Sequence, residues 1–455
     1  MSIASIEEVF AVPERRGRLS ARGDARMWAL GAPSFARSQS PSPDREAGFL
    51  RATGYVHAAD GARGTDDGRR PQAMERVTEH HSEGFENALR KVKDALGPDH
   101  LGAQGEAGTT AVQSPAEVGL TEEDIVALLE AGPREQQALF DLADDVRRRF
   151  MGDEVHLRAL IEFSNHCVRN CLYCGLRRDN AKLVRYRLSV HDVLEIAARA
   201  AAAGYKTIVL QSGDDFHYRA DDIARMVEGV KRAADVAVTL SIGERSRKEY
   251  AIMRRAGADR FLLKHETADP DLYERLHPGM SLERRLECLR DLRDLGFQVG
   301  SGNIVGLPDQ TVRIIAKDIK LLRAIDVEMA GIGPFIPHPD TPLAGCPPGT
   351  LSMSLKALAV TRLALPLAHL PATTALATLH PAGRRLALTC GANVVMPNVT
   401  PLEFRRLYEV YPGSIALHAP EDGGLSELTQ VLAALGRHVS NSCGHSPKAA
   451  RKGLD

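Results

Sequence analysis

The chain has almost no charge imbalance: 58 basic residues stand against 59 acidic ones, leaving a formal net charge of −1. That balance argues against a nucleic-acid or anionic-membrane partner. Long apolar runs are missing too, and none approaches the roughly 18–20 residues that span a bilayer. A disulfide framework is also absent. Of seven cysteines, three crowd one loop, while Cys288, Cys346, Cys390 and Cys443 are scattered. A protein of a reducing compartment, the cytoplasm, is the expectation. Lysine is absent from residues 1–74, which also lack a sustained apolar period. Such a stretch cannot bury enough surface to offset its ordering entropy, so it reads as a disordered extension. Its arginines and serines leave an organelle transit peptide open, and with it a stroma or matrix location. Glu7, Glu8, Glu14 and Asp24 weigh against that. A misassigned start codon is a third reading.

What is present centres on residues 157–180, LRALIEFSNHCVRNCLYCGLRRDN. A short apolar run from Leu157 to Phe163 reads as a buried strand. Cys167, Cys171 and Cys174 follow in the loop leaving it, spaced C-x3-C-x2-C. Thiolates at short loop spacing hold iron–sulfur clusters. Three ligands are one short of closing a four-iron cube, which leaves one iron open to a small molecule. A zinc site and a helical stripe of buried cysteines are the alternatives. Zinc wants a fourth Cys or His at motif spacing, and His166 lies directly beside Cys167. A buried stripe would sit among apolar residues, yet Asn165, Arg169, Asn170, Arg177 and Arg178 surround these thiols. The composition therefore favours a [4Fe–4S] cluster on the three cysteines.

Along the chain, residues 79–96 read as a helix and 101–120 as a linker, and the chain before Ser114 is expected to be dispensable. Two helices follow from Thr121, whose hydroxyl and acidic successors make a helix start. After the cysteine loop, helices and strands alternate: helix 190–203 and strand 207–211, then 219–234 and 236–241, 246–256 and 260–264, 281–295 and 297–303, 311–324 and 328–333. Helix 351–365 precedes a seventh strand near Thr373–Ala377, and a last unit over 382–396 ends in helix 401–409. With the opening strand this makes eight units, a (β/α)8 TIM barrel with its chemistry at the carboxyl ends of the strands. A doubly wound open sheet is the alternative, because strands seven and eight are faint. The domains read as 1–118 extension and linker, 119–420 barrel, and 421–455 one helix and a polar, basic tail.

Polar residues appear where strands stop, as the barrel requires. Gln211, Ser212, Gly213, Asp214 and Asp215 end strand two, and their backbone and carboxylates suit an ammonium. Strand three ends at Ser241, and strand four at Lys264-His265-Glu266. A buried carboxylate at Glu266 needs a partner, and Arg285 is the candidate. The glycines of Gly300-Ser-Gly302 read as a close backbone approach to a ligand such as adenine. Thr373 and Thr374 lie at the barrel mouth, and Cys288, Cys346 and Cys390 read as structural.

The cysteine spacing with Tyr173 before the last thiol resembles the radical S-adenosylmethionine (SAM) enzymes. In these the open iron binds the amino and carboxylate groups of SAM, and an electron cleaves it to methionine and a 5′-deoxyadenosyl radical. The blocks MGDEVHLR, IEFSNHCVRNCLYCGLRRDN, TIVLQSGDD, LLKHETA, GIGPFIPHPDTPL, PATTA and CGANVVMPNVTP resemble the [FeFe]-hydrogenase maturase HydE family. That resemblance implies SAM contacts at Tyr173, Gln211, Ser212, Gly213, Ser241, Glu266 and Arg285. It implies a substrate pocket near Lys264, Thr373, Thr374, Tyr408 and Tyr411. The implied substrate is an iron–carbonyl–cyanide–cysteine complex supplied by a HydG-type maturase. A HydF-type scaffold would receive the product, and a ferredoxin or flavodoxin would serve as low-potential electron donor. Asp214, Lys264 and Asp309 depart from the family's usual glutamate, arginine and glycine. The region Ser414–Gly424 lacks the cysteines that hold a second cluster in some relatives. An organic substrate, as in biotin synthase or methylornithine synthase, is the alternative enzyme reading. A non-catalytic cluster scaffold would need no Ser241, Glu266 and Arg285 constellation.

Overall fold

The computed structural model describes residues 72–96, 119–413 and 425–448. The readings of 1–71, 97–118, 414–424 and 449–455 lie outside them. The barrel is built from parallel strands: β1 (Glu154–Leu157), β2 (Ala159–Ser164), β3 (Thr207–Ser212), β4 (Ala237–Ser241), β5 (Arg260–Leu262), β6 (Gln298–Val305), β7 (Met329–Pro334) and β8 (Val394–Val395). One sheet runs β2-β3-β4-β5-β6-β7 in order, and β8 pairs with β1, which Arg158 alone separates from β2.

Isolated bridges close the ring. Met329 pairs with His369, Pro371 with Val394, and Leu160 with Asn398. The barrel is therefore closed, and the open-sheet alternative falls. Strand seven departs from expectation. It lies at His369–Pro371, while Thr373 instead precedes the helix Thr374–Leu379. Pro371 lacks an N–H to donate, which limits that strand to single bridges. β2 is buried along its whole length, as a parallel strand covered on both faces must be.

Side-chain caps start the outer helices. Ser189 with Asp192 and Ser246 with Glu249 form reciprocal capping boxes at Val190–Ala202 and Arg247–Arg255. A helix at Pro270–Leu276 was not expected, and the one expected over 401–409 shortens to Leu402–Arg405.

The extension reading fails over Gln72–Leu96, which forms one helix, α1. Phe85, Ala88, Leu89 and Val92 recur at helical spacing, are buried, and join the main core with Ile125, Leu128 and Leu129 of α2 (Glu122–Leu129). Lys91 donates to both oxygens of Asp124 at 2.7 Å. The helix expected over 79–96 is thus present, and its packing weighs against dispensability of everything before Ser114. The tail reading also gives way in part. His438–Val439 forms a strand, β9, parallel to β1 at Glu154 and Val155. Beyond it the carbonyl of Cys443 accepts from buried Arg260 at 2.6 Å and from Thr207 at 3.0 Å. The segment 438–448 thus covers the amino-terminal end of the barrel and leaves the opposite end free for chemistry.

Phe85→Ala is expected to destabilise the full chain by roughly 3–5 kcal/mol, read as a lower urea midpoint. An unchanged midpoint would show that α1 does not belong to the core.

Candidate active site at the barrel mouth

The cysteine loop has no helix or strand of its own, which removes the helical-stripe alternative, so hydrogen bonds must hold it. Asn165 donates to the carbonyls of Val184 (2.8 Å) and Leu407 (2.6 Å) and accepts from the Tyr186 N–H (2.8 Å). Arg185 donates to the carbonyls of Asn165, Leu176 and Arg177. The polar residues interleaved with the thiols are the clamps of an irregular segment.

Ion pairs fasten this loop to the neighbouring strand ends. Arg169 meets Asp214 at 2.6 Å and Glu244 at 3.1 Å, and Arg285 meets the other oxygen of Glu244 at 2.7 Å. Arg187 meets Asp215 at 2.7 Å, and Ser164 donates to the same carboxylate. Two expectations are corrected here. The carboxylates of Asp214 and Asp215 are taken by arginines and are not free for an ammonium. The partner of Arg285 is Glu244, with the carbonyl of Lys264, and not Glu266.

Glu266 adopts φ +64, in the left-handed region that side chains other than glycine avoid. Lys264 Nζ stands 3.2 Å from its Oε2, yet that oxygen is buried without a hydrogen-bond donor. The ion pair lacks hydrogen-bond geometry, so this oxygen can still accept from a ligand.

Two adjoining cavities open here. The first, about 260 Å³, is lined by Cys167, Cys171 and Cys174 together with Gln211, Ser212, Gly213, Ser241 and Arg285. The second, about 310 Å³, lies deeper against Thr373, Thr374 and Tyr411. Tyr173, Lys264, Glu266 and Tyr408 line both. The cysteines and the SAM-contact and substrate-pocket residues that the resemblance implies are therefore brought together. The glycines of β6 are not part of it: a Cβ on Gly302 would strike the backbone of Gly331, so their close approach is to β7 and not to a ligand.

The donor set fits an iron–sulfur cube better than a single ion. Among the described residues, no three His, Cys, Asp or Glu side chains converge as one metal ion would require. A four-iron cube takes each thiolate on a different iron and needs them apart. Burial pushes all three thiols up, Cys174 to about 12, so without metal they keep their protons and loading must release them. Gly213 makes room for the loop, since a Cβ there would meet the His166 carbonyl and stand 2.7 Å from Cys167 Cβ.

A family model for the radical SAM superfamily matches residues 161–322, a span that holds the three cysteines, Glu266 and Arg285. The [FeFe] hydrogenase maturase subunit HydE of Thermotoga maritima is 50% identical over 308 residues, covering 68% of this chain and 88% of that protein. The chain belongs to the HydE family. More distant is the 3-methylornithine synthase of Methanosarcina acetivorans, 29% identical over 62% of this chain and 82% of its own. Two solved structures share the fold of this HydE-family chain. Methylornithine synthase (PylB) aligns with a TM-score of 0.64 at 24% identity, over 74% of this chain and 97% of its own. The hydrogenase maturase HydG also aligns at 0.64, with 18% identity, over 83% of this chain and 81% of its own.

Among the lining residues that sequence reasoning missed are His277, Glu162 and Asn398. Tyr173 shares a 2.7 Å hydrogen bond with His277 Nε2, whose Nδ1 lies 2.6 Å from the Tyr273 carbonyl. That carbonyl can only accept, so Nδ1 carries the hydrogen and the tyrosine hydroxyl donates to Nε2. Burial pushes His277 down to about 4, which keeps the ring neutral. Glu162 and Asn398 line the deeper cavity from adjacent strands. Glu162 carried a signal, since it is an isolated carboxylate within an apolar strand and, with alternation, faces the barrel interior as Leu160 does.

Gly213→Ala is expected to displace Cys167 and lower the iron bound on anaerobic reconstitution while far-UV circular dichroism stays unchanged. Full iron loading in that variant would contradict the packing described.

Proposed function

We propose that this chain is a radical SAM enzyme of [FeFe]-hydrogenase maturation, acting on an anionic iron–carbonyl–cyanide–cysteine complex. One observation carries the reading: the thiol-lined cavity and a second cavity adjoin, sharing Tyr173, Lys264 and Glu266. Cys167, Cys171 and Cys174 would hold a [4Fe–4S] cluster, which when reduced would supply the electron for reductive cleavage of SAM.

The chain's own residues do the rest. Glu266 accepts hydrogen bonds from the ribose hydroxyls at the oxygen beside Lys264. Arg285, already spent on Glu244, shapes the wall and neutralises it. Gln211, Ser212, Gly213 and Ser241 hold the methionyl end through backbone and hydroxyl groups. Tyr173, fixed by neutral His277, separates the cavities. Across that divide, Lys264 offers a cation to an anionic substrate, and Thr373, Thr374 and Tyr411 offer hydroxyls.

We further propose that the catalytic unit begins at α1, that the chain works in the cytoplasm, where thiols stay reduced, and that its partners are a HydG-type supplier, a HydF-type acceptor and a ferredoxin or flavodoxin. The identity of 50% to a HydE protein favours this over biotin- or methylornithine-type chemistry.

The Cys167, Cys171 and Cys174→Ala triple variant should hold almost no iron after reconstitution, against about four irons per chain for the wild type. Retention of a full cluster would overturn the ligand set. Glu266→Gln should keep its iron yet bind SAM about one to two decades more weakly, as loss of a charge-assisted hydrogen bond predicts. Equal SAM affinity by titration calorimetry would remove Glu266 from the ribose. Anaerobic incubation with SAM, reductant and the iron complex should consume the complex; its unchanged recovery would turn the reading toward an organic substrate.

A further inference from the structure

The deeper cavity holds a carboxyl that none of these steps uses. Glu162 sits near the carboxyl end of β2 with its side chain on the cavity wall, buried. Its backbone is fixed on both sides: its N–H donates to Thr400 Oγ1 at 2.8 Å and its carbonyl accepts from the Tyr186 hydroxyl at 2.7 Å. Asn398 Nδ2 donates to Oε2 at 2.7 Å. The orientation of that amide is settled by its other end, because Asn398 Oδ1 accepts the Thr400 N–H at 3.0 Å. Oε2 is thus committed as an acceptor, and any proton on the carboxyl belongs to Oε1.

No counter-charge is committed to this group. Arg405 spends Nε and one terminal nitrogen on the Thr400 carbonyl, at 3.1 and 2.8 Å. Lys264, across the cavity, pairs with Glu266. The other titratable neighbours are the phenols of Tyr186, Tyr408 and Tyr411, which burial holds protonated. Among the described residues, no ion pair engages Glu162. A buried carboxylate without a partner is costly, and protonation is the available relief.

We propose that Glu162 is a substrate-contacting residue that presents a carboxylic O–H from Oε1 to an anionic acceptor atom of the substrate, such as a metal-bound cyanide nitrogen or a carboxylate oxygen. This rests on the reading that the deeper cavity takes the anionic iron complex. It makes Glu162 a determinant of specificity: the neutral acid welcomes an anion, and the ionised form repels it. Burial pushes the group up to about 8, opposed by the Asn398 hydrogen bond and by Arg405, so near neutral pH the donor is present and above that it is lost.

Two measurements on the full chain test this. Infrared difference spectra across pH 8 should show a protonated-carboxyl carbonyl band in the wild type that disappears on the alkaline side and is absent from Glu162→Gln. Identical wild-type and Glu162→Gln spectra would overturn the assignment of the proton. In turnover of the iron complex, wild-type KM should rise above that pH by about tenfold per pH unit, following the protonated fraction. Glu162→Gln, whose amide still donates into the cavity, should show no such rise, and Glu162→Leu should have a high KM at every pH. A Glu162→Gln profile that follows the wild type, or a Glu162→Leu KM equal to it, would overturn the contact. If the wild type does not consume the complex, the ligand class fails together with the proposed function, while the infrared result still judges the proton alone.

Discussion

Arg285, Glu244, Arg169 and Asp214 form a line of alternating charges, largely shielded from water, that runs from the helix Leu282–Asp294 to the cysteine loop. Removing one partner of a buried pair leaves the others uncompensated and costs about 3–5 kcal/mol, whereas the intact line mainly fixes geometry. That matters here because the loop has no regular structure to hold it. Three thiols that must sit apart, at a set distance from strands β3 and β4, depend on this line and on the clamps of Asn165 and Arg185. Gly243, at φ +74, packs directly on Asp214, so the strand end and the ion pair are locked into one arrangement.

The second constraint is local strain at Glu266. A non-glycine residue in the left-handed region costs of order 1–3 kcal/mol and persists only where its surroundings dictate it. Its N–H donates to the Gly302 carbonyl at 3.0 Å, and its carbonyl accepts from Ile304 at 2.9 Å. Two residues on, the Ala268 N–H donates at 2.5 Å to Asp318, a fully buried carboxyl that burial raises well above the usual range. These bonds turn the carboxylate of Glu266 into the shared edge of two cavities. Its neighbour Lys264, just beyond the end of β5, lines the same two cavities.

Much of this was legible from residues alone. Alternating apolar strands and capped helices gave the barrel its order, and the polar residues at strand ends marked the mouth, because both are local patterns. What stayed hidden was tertiary. The apolar stripe of α1 meets its partner only across an intervening stretch that reads as a linker. Strand seven is obscured by Pro371, which withholds a donor from its ladder. Pairing of Arg285 with Glu244 in place of Glu266 follows from how the helix Leu282–Asp294 leans on the sheet, and no spacing encodes it. Glu162 was concealed by its apolar neighbours, although an isolated acid in a strand buried throughout is itself a signal. The segment 438–448 looked polar because its partners are main-chain carbonyls and buried arginines at the barrel floor.

The central claim, maturation of an [FeFe]-hydrogenase through a thiol-held cluster beside an anion-receiving cavity, is tested most directly by activation in vitro. Unmatured hydrogenase is incubated anaerobically with SAM, reductant, and HydG- and HydF-type maturases, with this chain as the only variable, and hydrogen evolution is measured. The account predicts activity with the wild-type chain and background levels without it or with the triple cysteine variant. Background activity with a fully iron-loaded wild-type chain, or full activity from the triple variant, would contradict it.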